Sequence, residues 1–178
     1  MDNRKLNLRT EVIKGLKFLI GITAFYTLFW LVLSSIDLYP LKTATAYASN
    51  SLLNLAGVPT QMFFGDEPVI VVKSVYAQIT NLCAGDLEIA LLLAVILATW
   101  DRSWKKRIGG CLFGLLLILV ANPLRIFTVL AVGYYSNWAW ADFTHNILFR
   151  LMLIIIIVVY YFLWYVKYDK IRKFFSRV

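Results

Sequence analysis

The sequence predicts an all-α integral membrane protein, a bundle of about four transmembrane helices with a re-entrant or interfacial helix and a short extracytoplasmic β segment. Of the 178 residues, 61% are hydrophobic, whereas soluble domains have roughly 45–50% apolar residues. A bilayer core takes about 20 apolar residues per helix. Four windows reach or approach this length, namely 16–36, 84–100, 108–135 and 146–166. We therefore treat residues 1–178 as a single membrane domain.

The distribution of lysine and arginine predicts the orientation of these spans. Basic residues are concentrated before residue 18, in the loop 102–107 and after residue 166. The positive-inside rule assigns all three regions to the cytoplasm. A multi-pass protein of the cell membrane with both termini in the cytoplasm satisfies this pattern. The net charge of +8 is then mainly an orientation signal, and no basic face of a soluble domain indicates binding to nucleic acid.

The first two predicted helices differ in character. Window 16–36 is interrupted only by Lys17 and is longer than the apolar core of about 7–15 residues in a cleaved signal peptide, so we expect a retained helix. Segment 43–58 is only mildly apolar and stops at Gly57 and Pro59, which are typical of a helix end. A full crossing by 43–58 would reverse every later span, so we expect it to lie in the interface or to re-enter.

Residues 61–80 predict the outer β segment. The stretch 69–80 is rich in β-branched residues and alternates in polarity, which favours one strand. A turn at 65–68 would let residues 61–64 pair with it as a hairpin. The edge of such a strand could hold an extended peptide.

Three side chains that could carry chemistry are expected at the outer boundary of the membrane. Cys83 precedes window 84–100 and His145 precedes window 146–166. Arg125 lies 17 residues after Ile108, which is roughly 25 Å along a helix in a core about 30 Å thick. The topology thus predicts a common depth but not proximity within the plane of the membrane.

Each of the three has a plainer explanation. Arg125 could extend to the headgroups, Cys83 could be a small apolar packing residue, and His145 could be an interfacial polar residue. Against this, Arg125 follows a proline at position 123 that would bend the helix, and ionisable residues within spans usually face the bundle interior. His145 is the only histidine and the natural acid and base near neutral pH.

The surroundings of Cys83 favour a reactive thiol. Small and polar residues flank it, and the N-terminus of the following helix supplies partial positive charge that favours a thiolate. Asp86 and Glu88 in the first turn oppose this effect, and Arg125 could offset them.

In these residues the chain resembles the exosortase/archaeosortase family of membrane cysteine transpeptidases. The resemblance covers roughly residues 44–166, and the short length is similar to compact archaeal members. Asp86, and the absence of glycine in 146–150, depart from the family pattern and leave subtype and substrate signal open. The matching motifs are Cys83-Ala84-Gly85, Asn122-Pro123-Leu124-Arg125-Ile126 and His145.

The resemblance implies a function and a set of roles. Cys83 would be the nucleophile, Arg125 would stabilise the thiolate and the oxyanion, and His145 would be the general acid and base. The enzyme would cut C-terminal tripartite sorting signals from exported proteins at the outer membrane face and pass them to a membrane lipid or another nucleophile. No cofactor or metal is implied. The residues expected to bind substrate are Asn81, Gly85 and Asn122.

Two other functions would also account for parts of this sequence. A thiol oxidoreductase would need a second nearby cysteine, whereas Cys111 is expected near the cytoplasmic face. A non-enzymatic scaffold or a small transporter subunit would also explain the hydrophobicity and would make the three residues coincidental. Arg125 discriminates between these hypotheses, because a scaffold tolerates lysine there and a bidentate oxyanion donor does not.

Overall fold

The computed structural model describes residues 2–73, 75–145 and 149–175 of the chain. Most of these residues are helical, and the remainder includes one small antiparallel sheet. The elements in chain order are α1 (Asp2–Ser35), α2 (Tyr39–Leu55), β1 (Gln61–Phe64), β2 (Pro68–Val72), β3 (Val75–Gln78), α3 (Asn81–Ala84), α4 (Asp86–Leu97), α5 (Trp104–Tyr135), α6 (Trp138–Phe143) and α7 (Phe149–Phe175).

Two helices of the described residues are long and apolar enough to cross a membrane. The stretch Arg9–Ser35 of α1 has 27 residues with mean hydropathy 1.9, and α5 has 32 residues with mean hydropathy 2.2. Helix α4 has only 12 residues, and the apolar stretch Ile154–Val166 of α7 is also shorter than a full span. The four-span arrangement therefore stays a prediction, as does the side of the membrane that each loop faces.

Helix α4 is shorter than the predicted window 84–100 and covers residues 86–97 of it. One helical turn, α3, is followed by Gly85 with φ 86° and ψ 27°, a left-handed conformation that glycine adopts without strain. Helix α4 begins only after this break. It ends at Leu97, whose carbonyl accepts a hydrogen bond from the Arg107 guanidinium.

The other predicted windows shift at their ends. Helix α5 begins four residues before the predicted window 108–135. Of the predicted window 146–166, residues 146–148 lie outside the described part, and α7 is described from residue 149 to residue 175.

Helix α2 occupies most of the predicted segment 43–58. It begins earlier, at Tyr39, because Pro40 stands in its first turn, where proline is favoured. It packs on α5 through the buried Ser49, whose hydroxyl donates to the carbonyl oxygens of Thr45 at 2.7 Å and of Pro123 at 3.3 Å. The close approach places α2 beside the proline of α5.

The expectation of one strand over 69–80 is wrong. The chain turns back at Lys73, which has a positive φ of 55°, so two antiparallel strands form instead, in the sheet order β1-β2-β3. The Lys73 ammonium donates to the carbonyl of Tyr134 at 3.0 Å and lies 4.3 Å from the centre of that ring. These contacts hold the β2–β3 turn against the end of α5.

The apolar side chains form two clusters at different levels of α5. The first joins α2, the sheet and the second half of α5, and the second joins α4, α5 and α7. Large apolar side chains on α1 remain exposed, as expected for a face toward lipid. The candidate site lies between the two clusters. The first cluster includes Leu53, Ile70, Val72, Ile126 and Leu130, and the second includes Ile89, Leu92, Ile96, Ile118 and Ile157.

Candidate active site

Cys83 lies in the single turn of α3, between the end of β3 and the start of α4. Its side chain is half-buried. The Thr80 hydroxyl donates to the Cys83 sulfur at 3.6 Å, and the thiol lies 3.9 Å from the carbonyl oxygen of Gln78. The thiol is thus held close to the main chain of the sheet.

Asn122 attaches the turn of Cys83 to helix α5. Its side-chain nitrogen donates to the carbonyl of Ala84 at 2.8 Å, and its side chain is 1% exposed. A Cβ at Gly85 would overlap the Asn122 amide, so both the backbone conformation and the space at this position require glycine. The two residues together fix where the turn of Cys83 lies on α5.

The three residues predicted to bind substrate do not lie at the cavities that contain Cys83. Asn81 is exposed at the start of α3, while Gly85 and Asn122 are buried against each other. None of the three is among the described residues that line the cavities at Cys83. A role for them in substrate binding stays a prediction, and for Asn122 the contact with Ala84 indicates a structural function.

Arg125 lies on α5 two residues after Pro123 and is buried. Its Nη1 is 3.6 Å from Oε1 of Glu88 in the first turn of α4. This separation is longer than a close ion pair. The Glu88 carboxylate balances the buried charge of Arg125, and the long contact leaves the guanidinium with further N–H donors.

Cys83, Arg125 and His145 line one cavity of about 770 Å³. Polar residues at this cavity include Thr80 and Glu88. Its remaining walls come from α1, α4 and α7, through the side chains Ile22, Thr23, Tyr26, Leu87, Leu91, Ile154 and Ile157. The structure thus brings together three residues for which the sequence predicted only a common depth.

A second groove, of about 430 Å³, meets the first at Cys83 and His145. It lies between β3, the second half of α5 and α6. The thiol and the imidazole are the residues common to the two spaces. A reaction at Cys83 could therefore draw one reactant from each side.

The sequence indicated that Arg125 could offset the charge of Glu88, but sequence reasoning missed their direct contact and the attachment of Ala84 by Asn122. A signal existed for Glu88, because a buried charge in a membrane protein is usually paired and Glu88 was expected at the same depth as Arg125. No local signal indicated Asn122, since its contact with Ala84 joins residues 38 positions apart.

Comparison with known proteins identifies the family of this chain. Residues 6–162 match the model of a family described as transmembrane exosortase. The chain belongs to this family, which confirms the predicted resemblance and localises the protein to a membrane.

One relative is similar over most of its length. It is named "Probable archaeosortase D", comes from Methanocaldococcus jannaschii, and is 30% identical over 153 residues, which is 85% of this chain and 96% of the relative. No solved structure matches significantly. The protein is therefore an exosortase/archaeosortase-type membrane protein, which suggests a peptidase or transpeptidase.

Proposed function

We propose that this protein is a membrane cysteine transpeptidase that cleaves the C-terminal sorting signals of exported proteins. The observation that carries the proposal is the cavity lined jointly by Cys83, Arg125 and His145. These are a nucleophile, a permanent cation and an acid–base group, which together suffice for acyl transfer through a thioester. Membership of the exosortase family supports the same chemistry.

The proposed reaction has two halves. The Cys83 thiolate attacks the scissile carbonyl carbon, and the Arg125 guanidinium stabilises the oxyanion that develops. His145 then donates a proton to the leaving amine as the C–N bond breaks, which leaves the acyl group on the Cys83 sulfur. In the second half, a hydroxyl or amine of the acceptor loses its proton to His145 and attacks the thioester, and the thiolate leaves.

Glu88 would position Arg125 for this task. The carboxylate lies on one side of the guanidinium, at 3.6 Å, and the cavity that contains Cys83 lies beside both. Arginine keeps its charge and presents its donors in one plane, which suits two-point contact with an oxyanion. Because Glu88 is a single and rather distant partner, it positions the guanidinium without using all of its N–H donors.

The proposed orientation puts both termini in the cytoplasm and the site at the outer face of the cell membrane. The apolar walls contributed by α1, α4 and α7 suit the acyl chain of a membrane lipid as acceptor. They also suit the start of the transmembrane helix that follows the cleaved motif in a tripartite signal.

Cysteine replacement tests the proposal, and the chain offers a matched control. Cys111 is half-buried and packs with the α4–α5–α7 cluster, and it is absent from the described lining of the cavity. Cys83→Ala should abolish processing of a co-expressed exported protein that carries a tripartite signal, while Cys111→Ala should process it at the wild-type rate. Processing by Cys83→Ala would overturn the proposal.

Thiol labelling tests the orientation. In Cys111→Ala cells, the remaining Cys83 should react with a membrane-impermeant maleimide without permeabilisation. Reaction only after permeabilisation would place Cys83 on the cytoplasmic side and overturn the proposed topology.

A further inference from the structure

The register of the sheet leaves one edge of β3 available beside Cys83. Ile79 donates its N–H to the carbonyl of Pro68 at 2.8 Å, and Ala77 lies opposite Ile70. Because hydrogen-bonded pairs alternate along an antiparallel ladder, Ala77 also points its main-chain groups at β2. Tyr76 and Gln78 then point theirs away from β2, and no described strand pairs with this edge.

The free edge leads directly to the thiol. The carbonyl oxygen of Gln78, one of the outward-pointing groups, lies 3.9 Å from the Cys83 sulfur. The thiol therefore caps this carbonyl at the end of the edge, and the N–H of Gln78 and both main-chain groups of Tyr76 point outward for an added strand. A peptide paired along Tyr76 and Gln78 would reach Cys83 after one or two further residues.

The groove beside this edge suits an extended peptide with uncharged side chains. Its wall opposite β3 is formed by apolar side chains of α5 and α6, namely Ile126, Val129, Leu130, Trp138 and Ala141. Asp142 is the acidic residue among its described lining. Burial of an unpaired charge against such a wall is costly, whereas alternate apolar side chains of an added strand would pack on it.

We propose that β3 binds the segment that precedes the cleaved bond, as an additional strand held by the main-chain groups of Tyr76 and Gln78. This inference rests on the proposed function and specifies how its substrate is recognised. The added segment is extended and uncharged at the residues that face α5 and α6. Its backbone hydrogen bonds provide register, and its last residue lies at the junction of the two cavities, where Cys83 and His145 meet.

Replacement of Tyr76 by proline tests peptide binding at the free edge of β3 and keeps the hydrogen bonds between β2 and β3. Tyr76→Pro deletes only an N–H that points away from β2, and proline is tolerated on edge strands. Tyr76→Ala is the matched control, because it removes the side chain, which is 73% exposed, and keeps the N–H. The probes are a library of acetylated tripeptidyl chloromethyl ketones of uncharged residues and, as the chloromethyl ketone without a peptide, chloroacetone. Labelling of the purified full-length chain is followed at Cys83 by mass spectrometry.

In wild type and Tyr76→Ala, the best peptidyl reagents should label Cys83 at least about tenfold faster than chloroacetone, which has the same reactive group. Tyr76→Pro should lose about tenfold of this advantage, or about 1.4 kcal/mol, because one main-chain hydrogen bond is lost and the bound strand shifts. Its reaction with chloroacetone should be unchanged, which shows that the site is intact. An advantage retained in Tyr76→Pro, or no advantage in wild type, would overturn the proposed strand binding.

Two further measurements distinguish a failure of strand binding from a failure of the proposed function. In the wild-type chain, N-methylation of the peptide should slow labelling at every second residue only, because alternate N–H groups face β3. Equal effects at all positions, or none, would overturn strand binding even if Tyr76→Pro fails to fold. If Cys83→Ala still processes a co-expressed exported protein, the proposed function itself fails, whatever the labelling shows.

Discussion

Two arginines on the same face of α5 are equally buried and differ in what holds them. Arg107 and Arg125 are both 7% exposed and lie about five helical turns apart. Arg107 donates to three main-chain carbonyls, of Leu97, Trp100 and Arg102, at 2.9–3.2 Å. It also lies near the rings of Trp100 and Trp104. Arg125 lies 3.6 Å from the carboxylate of Glu88 and lines the cavity that contains Cys83.

The comparison shows that the use of hydrogen-bond donors, and not burial, separates a structural arginine from a candidate catalytic one. Arg107 satisfies carbonyls that α4 and the following loop leave without helical partners, which is a capping function. Sequence reasoning counted it only as a charge that sets orientation. Arg125 keeps donors for a group that enters the cavity, as an oxyanion stabiliser must.

The largest effect is expected for Arg125→Lys. An ammonium cannot reproduce the planar two-point donation of guanidinium, and loss of an oxyanion donor typically slows turnover by about 100-fold or more. Processing of a co-expressed substrate should fall accordingly, while the temperature of unfolding in detergent stays near that of wild type. Full processing combined with a much lower unfolding temperature would make Arg125 structural, like Arg107.

Arg107→Lys should give the opposite result. Lysine cannot reach three carbonyls at once, so buried acceptors lose their donors, and we expect the free energy of unfolding to fall by about 1–3 kcal/mol. Size-exclusion chromatography after heating measures this loss. Processing per folded molecule should be unchanged; a large decrease would mean that both arginines serve the reaction.

Asn122→Ala tests the attachment between the site and α5. Removal of the donor to the buried Ala84 carbonyl should cost about 1–2 kcal/mol of stability and should slow alkylation of Cys83 by a peptidyl reagent. Gly85→Ala should be worse, because alanine at φ 86° is strained and its Cβ would overlap Asn122. Wild-type stability and labelling in both variants would show that the turn does not need this contact.

The smallest effect is expected for Glu88→Gln. Glutamine keeps the shape and one oxygen acceptor but removes the charge that faces Arg125. Because the pair is long, at 3.6 Å, we expect processing to fall by only about threefold, as for a weak ion pair. The processing rates of the single and double variants with Arg125→Lys should show coupling. Additive effects would mean that Glu88 does not act through Arg125.

Local patterns in the sequence predicted the features that depend only on the composition of a segment. The long helices α1 and α5 follow from apolar runs, because the length and hydropathy of a segment are properties of the segment itself. The family followed from three short motifs around Cys83, Arg125 and His145, which the match over residues 6–162 confirms.

Features that depend on contacts between distant residues could not be predicted in this way. Asn122 bonds to Ala84 beside the break at Gly85. The turn at Lys73 puts a non-glycine residue at positive φ, a conformation that such residues rarely adopt. The convergence of Cys83, Arg125 and His145 depends on how α4, α5 and α7 pack. No periodicity in a single segment encodes that packing.

The shortness of α4 has a consequence for the exported protein. Its 12 residues extend about 18 Å, which is about 12 Å less than the hydrocarbon thickness of a bilayer. In the proposed orientation, Arg107 ties the inner end of α4 to the cytoplasmic loop, so the shortfall lies on the outer side. A folded domain cannot enter this recess, and an extended chain advances about 3.3 Å per residue. If Cys83 acts as proposed, a cleavable protein requires an unstructured spacer of about four residues between its last folded element and the bond that is cut.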